Sequence, residues 1–260
     1  MGLLLSRCFP GLSWRRRSGN LMLMEPEPSS DEDTRHIRVP ERSDAKVWRY
    51  MSFVSLVSIV QLKQVFFTRI ANLDDPYEGS MPEALRSVFG DDQKEIGGVM
   101  VSAVDFLKIK SRFSCVNCWH VNGVESAAMW KLYSSESGVA IQSSIGGLLR
   151  GFNAASGLEM ALVEYVDFDA TDLPKMPYPI YLKRRSFSHE NELRLVITDA
   201  DTAAHPDGLL VSADLSQLIE RIYVSPLAPF WMAQVVRREL EQYGLEIEVI
   251  HSSLYSKGLK

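Results

Sequence analysis

The chain has 260 residues, of which 46% are hydrophobic and 23% charged, with a formal net charge of −5 at neutral pH. That is enough apolar material for a full core, and too acidic a balance for broad non-specific nucleic-acid binding, which rests on many Lys and Arg contacts to phosphate. No apolar run approaches the roughly 20 residues of a membrane span, and three cysteines make no disulfide framework in a chain this long, so the composition points to a globular, cytoplasmic protein.

Residues 1–44 differ in character from the rest of the chain. "PGLSWRRRSGN" is basic and "EPEPSSDEDTRHIRVPERSD" is charged and rich in Pro and Ser, so neither buries enough apolar surface to order itself, and a disordered leader is expected. Its start, "MGLLLS", fits a loose N-myristoylation pattern, and residues 1–24 lack acids as a transit peptide would; Met22 and Met24 are alternative translation starts.

Residues 45–260 read as a single domain. "KVWRYMSF" is the first predicted strand, Ser52 or Ser55 is placed to cap a helix over "LVSIVQL", and "QVFFTRI" is the next strand. "NLDDPYEGSMP" is turn chemistry. Helices are expected near 80–89 and 93–107, a strand over 112–119, a short helix at "SAAMWKLY", and strands at "GVAIQ" and "GLEMALVEYVDF". Residues 178–185 read as helix or turn and 191–198 as a strand. The strands "GLLVSAD", "IERIYVSP" and "LEIEVIH" come next, with an amphipathic helix over "APFWMAQVVRRELEQYG" that stops at Gly244. Many short strands with interspersed helices and no βαβ rhythm argue for an α+β fold with a mixed, largely antiparallel sheet. A Gly-rich phosphate loop is absent from the sequence, so it offers no Rossmann or P-loop signature.

Several residues carry chemistry. In "SFSHENELRLVIT", Glu190, Glu192 and Arg194 fall on one face of a strand and Leu193, Leu195 and Ile197 on the other. The apolar face is core; the charged face is either a solvated surface or a pair of catalytic or ligand-binding carboxylates. The basic cluster Lys183, Arg184 and Arg185 reads as a solvated face. Cys115 and Cys118 have C-x-x-C spacing with His120 nearby, but a strand would put the two thiols on opposite faces, which favours core cysteines over a metal site.

Four stretches, in order and spacing, resemble the bacterial domain of unknown function 2971 family over about residues 47–255. They are "VWRYMSF", "FFTRIANLDDPYEG", "CW" followed by "MWKLYSSESGVAI", and "K" followed by "FSHENELRLV". The chain departs from that pattern at Leu73 and Asp74, where the family has Phe-Asn before Asp-Pro. The order Arg49, then Trp130 and Tyr133, then Glu190 and Glu192 also resembles toxin-like ADP-ribosyltransferases.

That second resemblance implies a NAD-dependent toxin or defence effector with NAD as substrate and an unidentified macromolecular acceptor. Glu192 would face the positive charge that builds on the ribose as nicotinamide leaves, and Glu190 would position or deprotonate the acceptor. Arg49, with Tyr50 beside it, would hold the pyrophosphate, and Trp130 or Tyr133 would stack on nicotinamide. Plainer readings stand beside these: Arg49 as the exposed position of an alternating strand, Trp130 and Tyr133 as one buried helix face, "DDPYEG" as an Asp-Pro turn and His189 as a surface histidine. Two rival functions are a nucleotide-binding module without chemistry and a metal-dependent nuclease built on Asp75, Glu78, Glu190 and Glu192.

Overall fold

A computed structural model describes residues 42–83, 86, 93–96, 99–134, 137–170, 178–199, 201 and 204–256, together with Trp14–Arg17 (β1) and Asn20–Leu23 (β2). The last two pair antiparallel inside the stretch read as a disordered leader; the remainder of residues 1–41, with its targeting signals, lies outside the described residues.

The body begins with β3 (Lys46–Ser52). Ser52 caps α1 (Phe53–Leu62), its Oγ accepting from Ser55 N at 3.1 Å, and the chain returns as β4 (Gln64–Arg69). The "DDPYEG" turn comes next, with Asp75 Oδ1 accepting from Tyr77 N at 3.1 Å in an Asx turn. The helix expected at 80–89 falls largely outside the described residues. The one expected at 93–107 is corrected: Gln93–Ile96 (β5) and Val99–Ser102 (β6) pair antiparallel, and helix α2 runs over Ala103–Phe113. The sequence carries the reason. Gly97 and Gly98 cost a helix interior about 1 kcal/mol each relative to Ala, and Gly-Gly between two short runs is a hairpin signal.

Beyond them lie β7 (Ser114–Val121), α3 (Ala127–Tyr133), β8 (Gly138–Ser144) and α4 (Ile145–Gly151); the Gly-rich α4 has no counterpart among the expected elements. The strand expected at "GLEMALVEYVDF" is two, β9 (Glu159–Leu162) and β10 (Glu164–Val166), with different partners. A 3₁₀ turn at Pro179–Tyr181 leads into β11 (Leu182–Arg184), and a second over Arg185–Glu190 precedes β12 (Glu192–Thr198). The chain ends with β13 (Gly208–Ser212), α5 (Leu215–Leu218), β14 (Arg221–Val224), α6 (Met232–Gln242) and β15 (Glu248–His251).

Nine strands make the main sheet, in the order β13-β4-β7-β3-β8-β14-β15, with β12 on β7 and β9 on β12. Every pair in it is antiparallel except β14 with β15, so the fold is α+β with a mixed, largely antiparallel sheet. One face carries the main core, where Val47, Met51, Leu193 and Leu195 meet Leu56 and Val60 of α1, Leu148 of α4 and Val236 of α6. A second apolar group on β12, β9 and the Pro179–Tyr181 turn gathers Val196, Ala161, Ile180 and Tyr181. A third packs Trp48, Tyr50, Met129, Trp130 and Ala140 together.

The feature that makes room for a site is a split in this sheet. Along one edge of β7, β4 pairs only with Cys115 and Val116, and β3 pairs only with His120 and Val121. Both strands run antiparallel to β7, so they splay apart, and no strand of the described residues pairs with Asn117, Cys118 and Trp119 on that edge. Side chains take over. Arg49 Nη1 donates to Cys118 O at 3.0 Å, and Asn117 Nδ2 donates to Phe66 O at 2.9 Å while its Oδ1 accepts from Trp119 Nε1 at 2.7 Å.

Candidate functional site

A cavity of about 310 Å³ opens at the split. Its wall includes Trp48, Arg49 and Tyr50 from β3, Cys118 and His120 from β7, and Tyr133 from α3. The turn after β4 adds Asp75 and Glu78, and Lys183, Phe187, Glu190, Glu192 and Arg194 close it from the β11–β12 side.

Of the two readings of the charged face of β12, burial decides against a solvated surface: Glu190, Glu192 and Arg194 are 6%, 3% and 0% exposed. Glu190 itself is not on the strand. It ends the 3₁₀ turn, and Asn191, in the left-handed region at φ 38°, turns the chain into β12. Asn is among the few residues that enter that region at low cost.

The group that gathers the carboxylates is Lys183. Its Nζ donates to Glu190 Oε2 at 2.5 Å and Glu192 Oε2 at 3.1 Å, and lies 3.1 Å from Glu78 Oε1. Arg194 completes the network, donating from Nε to Glu192 Oε1 at 2.7 Å and from Nη1 to Glu78 Oε2 at 3.0 Å and Ile180 O at 2.6 Å. Reading the Lys183–Arg185 cluster as a solvated face is therefore corrected. Lys183 is buried, Arg184 grips Asp75 through two hydrogen bonds at 2.9 and 3.1 Å, and only Arg185 is exposed.

Burial alone would push the Glu192 carboxyl up, but Arg194 and Lys183 hold it down to about 2. Burial works against the Lys183 ammonium too; Glu192, Glu78 and Glu190 outweigh it and raise it. A carboxylate offers about four acceptor positions. Glu192 uses one on Arg194 and one on Lys183, leaving about two. Glu190 Oε1 accepts from the Tyr133 hydroxyl at 2.6 Å, and its backbone oxygen receives His120 Nδ1 at 2.5 Å. His120 Nε2 is buried with no partner among the described residues.

Arg49 is the odd member. Burial lowers its pKa, its one hydrogen bond goes to a neutral carbonyl, and among the described residues no carboxylate pairs with it. It lines the cavity with Glu192, and both act on Cys118: Arg49 holds that residue's carbonyl, and burial and then the Glu192 charge raise its thiol.

Of the residues singled out in the sequence, Arg49, Tyr50, Tyr133, Glu190 and Glu192 all line the cavity. Trp130 does not. It is 4% exposed, packed edge-on to Tyr50 with ring centroids 5.0 Å apart, and its Nε1 donates to Glu125 at 2.9 Å, so it supports the wall from behind. Tyr50 stays in the wall, its hydroxyl accepting from Ser126 N at 2.8 Å. Cys115 sits in the core and Cys118 at the cavity, on opposite faces of β7. His189 is exposed. Among the described residues, no group of three or more His, Cys, Asp and Glu is arranged to hold a metal ion. Glu78, Glu190 and Glu192 do converge, but on Lys183 Nζ, and Asp75 is turned to Arg184. Among the described residues no helix is long and apolar enough to cross a membrane.

No family model matches the chain, so the resemblance to the domain of unknown function 2971 family rests on its four stretches alone, and no curated protein matches it either. Among solved structures, three complexes of DarT from Thermus sp. 2.9 align with it. The complex with carba-NAD+ is 11% identical over 82% of this chain and 97% of its own, and the complex with NAD+ is 12% identical over 82% and 96%. The complex with ADP-ribosylated ssDNA is 9% identical over 83% and 98%. Each has a TM-score of 0.38.

Proposed function

We propose that the cavity takes the reacting end of a NAD-type dinucleotide and that the protein acts as a NAD-dependent ADP-ribosyltransferase-like enzyme. The observation that carries this reading is that Arg49, a cation facing the cavity without a carboxylate partner, shares the cavity with the ionised, fixed carboxylate of Glu192. A half-buried cation left without a carboxylate partner calls for an anionic ligand, and the forked guanidinium suits a pyrophosphate. At about 310 Å³ the cavity is at the lower end of the range for ligand pockets, roughly 300–1,000 Å³, which fits the nicotinamide ribose and the pyrophosphate at Arg49 with the adenosine outside.

In this reading the bond between ribose C1′ and the nicotinamide nitrogen breaks, and nicotinamide leaves neutral with the electron pair. Glu192, ionised and anchored by two cations, opposes the positive charge on the ribose without having to reorganise. The acceptor's nucleophile bonds to C1′ and gives its proton to Glu190, which has acceptor positions left beyond Tyr133 and Lys183. Tyr133, half exposed at the cavity mouth, and Phe187 offer flat faces to the nicotinamide ring.

A second reading, a nucleotide-binding module without chemistry, is favoured by one observation: both Glu192 oxygens are already bonded to buried cations. One experiment separates the two. Nicotinamide release from NAD by the purified chain is measured with and without cell lysate as a source of acceptors, beside Glu192→Gln, and NAD affinity is measured by calorimetry. Release that vanishes in the variant while affinity stays within about threefold is the expected result. Binding without release in any mixture would support the module, and absence of both would overturn both readings.

A further inference from the structure

We propose that Lys183 is a positioning residue of this site: its ammonium, tethered at once to Glu78, Glu190 and Glu192, sets where the two functional glutamates stand relative to one another and to the cavity. The inference rests on the ADP-ribosyltransferase reading of the cavity and deepens it.

The geometry makes Lys183 the common point of the network. Its Nζ donates to Glu190 at 2.5 Å and to Glu192 at 3.1 Å, and forms an ion pair with Glu78 at 3.1 Å. The three carboxylates come from two stretches of chain and three structural elements. Glu78 lies in the turn after β4, Glu190 ends a 3₁₀ turn and Glu192 opens β12. No hydrogen bond joins Glu190 to Glu192 directly, and the left-handed residue between them leaves the backbone free to aim them apart; Lys183 aims them together. The other groups facing the cage are Arg194 on β12, Cys118 and His120 on β7, the latter's Nδ1 bonding the Glu190 carbonyl, Tyr133 on α3, and Tyr165 on β10, whose hydroxyl accepts from Glu192 N at 2.8 Å. The Phe187 ring covers the ammonium at 5.1 Å from its centroid and bars water from that side. Of these neighbours only Arg194 is a second cation, and it bonds Glu78 and Glu192 but not Glu190. Without Lys183, Glu190 would keep only the Tyr133 hydroxyl, a donor from a half-exposed residue.

The test must separate positioning from charge balance, because removing Lys183 alone leaves three buried carboxylates to one arginine. The double variant K183M/E78Q leaves two carboxylates to one cation, the same net formal charge as in the native cluster, and is read against E78Q alone. In the full chain, nicotinamide release by the double variant is expected to fall at least about tenfold in kcat with KM for NAD within about threefold, since misplacement of catalytic groups by a fraction of an ångström acts on the transition state rather than on binding. The acid limb of its kcat–pH profile is expected to move up by at least about one pH unit. Native kcat in the double variant, or a loss confined to KM, would overturn the proposal. If the native protein itself releases no nicotinamide, the ADP-ribosyltransferase reading fails, and the tether is then judged by carbon-13 NMR of the Glu192 carboxyl. A titration midpoint raised by at least about one pH unit in the double variant sustains Lys183 as its anchor, and an unmoved midpoint refutes it.

Discussion

Replacing Arg194 by Met removes the most deeply buried charge in the site. Arg194 is 0% exposed and holds Glu192 at 2.7 Å, Glu78 at 3.0 Å and Ile180 O at 2.6 Å. Removing one partner of a buried ion pair costs about 3–5 kcal/mol, because the remaining charge stays uncompensated. A second route gives a similar figure. A Glu192 carboxyl held at about 2 instead of 4.5 carries roughly 3 kcal/mol of stability at neutral pH, at about 1.4 kcal/mol per pH unit, and Arg194 is the foremost of the charges that hold it down. The sign follows from the lowered folded-state value. The contribution is present above about pH 4.5 and is lost as the pH falls through about 2, below which both folded and unfolded carboxyls are protonated. In Arg194→Met only Lys183 is left to hold the carboxyl down, so most of that contribution is already gone. The gap between native and variant should therefore be about 3–5 kcal/mol in urea unfolding at pH 7 and narrow by roughly 1–2 kcal/mol at pH 3. Adding Glu192→Gln to the variant should cost less than the sum of the two single changes. A loss below about 1 kcal/mol at pH 7, the value of an exposed pair, or a gap that does not change with pH, would refute this electrostatic account.

Arg49→Gln should cost only about 1 kcal/mol in unfolding, since one hydrogen bond to Cys118 O is at stake, yet weaken NAD binding at least about tenfold by calorimetry. Iodoacetamide should label Cys118 at pH 8 at least about a hundredfold more slowly than free cysteine, because burial and then the Glu192 charge raise its thiol; mass spectrometry of the labelled peptide reads this. Ser52→Ala should lower the urea midpoint by the equivalent of about 1 kcal/mol through loss of the α1 cap, with no effect on NAD affinity. Gly208→Ala should impair folding of the β13–β4 edge, since Gly208 has φ +143° and an added Cβ would collide with the Phe67 carbonyl oxygen; amide exchange across Gln64–Thr68 would reveal it.

Period-two alternation makes the most local part of the site legible. Leu193 and Leu195 against Glu192 and Arg194 have to part to opposite faces of β12, and Cys115 and Cys118 have to part across β7. What alternation cannot supply is the partner of a face. A lysine in a basic run and a glutamate in an Asp-Pro turn are ordinary surface residues until the fold stacks β11 and the β4 turn against β12, so the meeting of Lys183 with Glu78 has no mark in the sequence. Trp130 shows the reverse: an aromatic at helical spacing beside Met129 satisfies both a core and a stacking reading, and the packing of Tyr50 against it decides for the core. The hairpin at 93–102 is hidden because its short runs have no strong alternation, leaving two glycines as the only local mark. The split between β3 and β4 cannot be foreseen from either strand, since each pairs well with β7 over two residues and the gap exists only between them.

The charged network also bears on how β12 finds its place. In its present register Leu195 lies opposite Asn117 and Glu192 opposite His120. A slip of one residue along β7 would turn Glu192 and Arg194 into the aliphatic layer and expel Leu193 and Leu195 from it. A slip of two would keep the faces but carry Glu192 and Arg194 about 7 Å along the strand direction, out of reach of Lys183 and Glu78. A strand with aliphatics on one face and neutral polar residues on the other would resist the first error and tolerate the second. Glu192 and Arg194 penalise both, so the same side chains that line the cavity act as a proofreading device for the pairing that builds it.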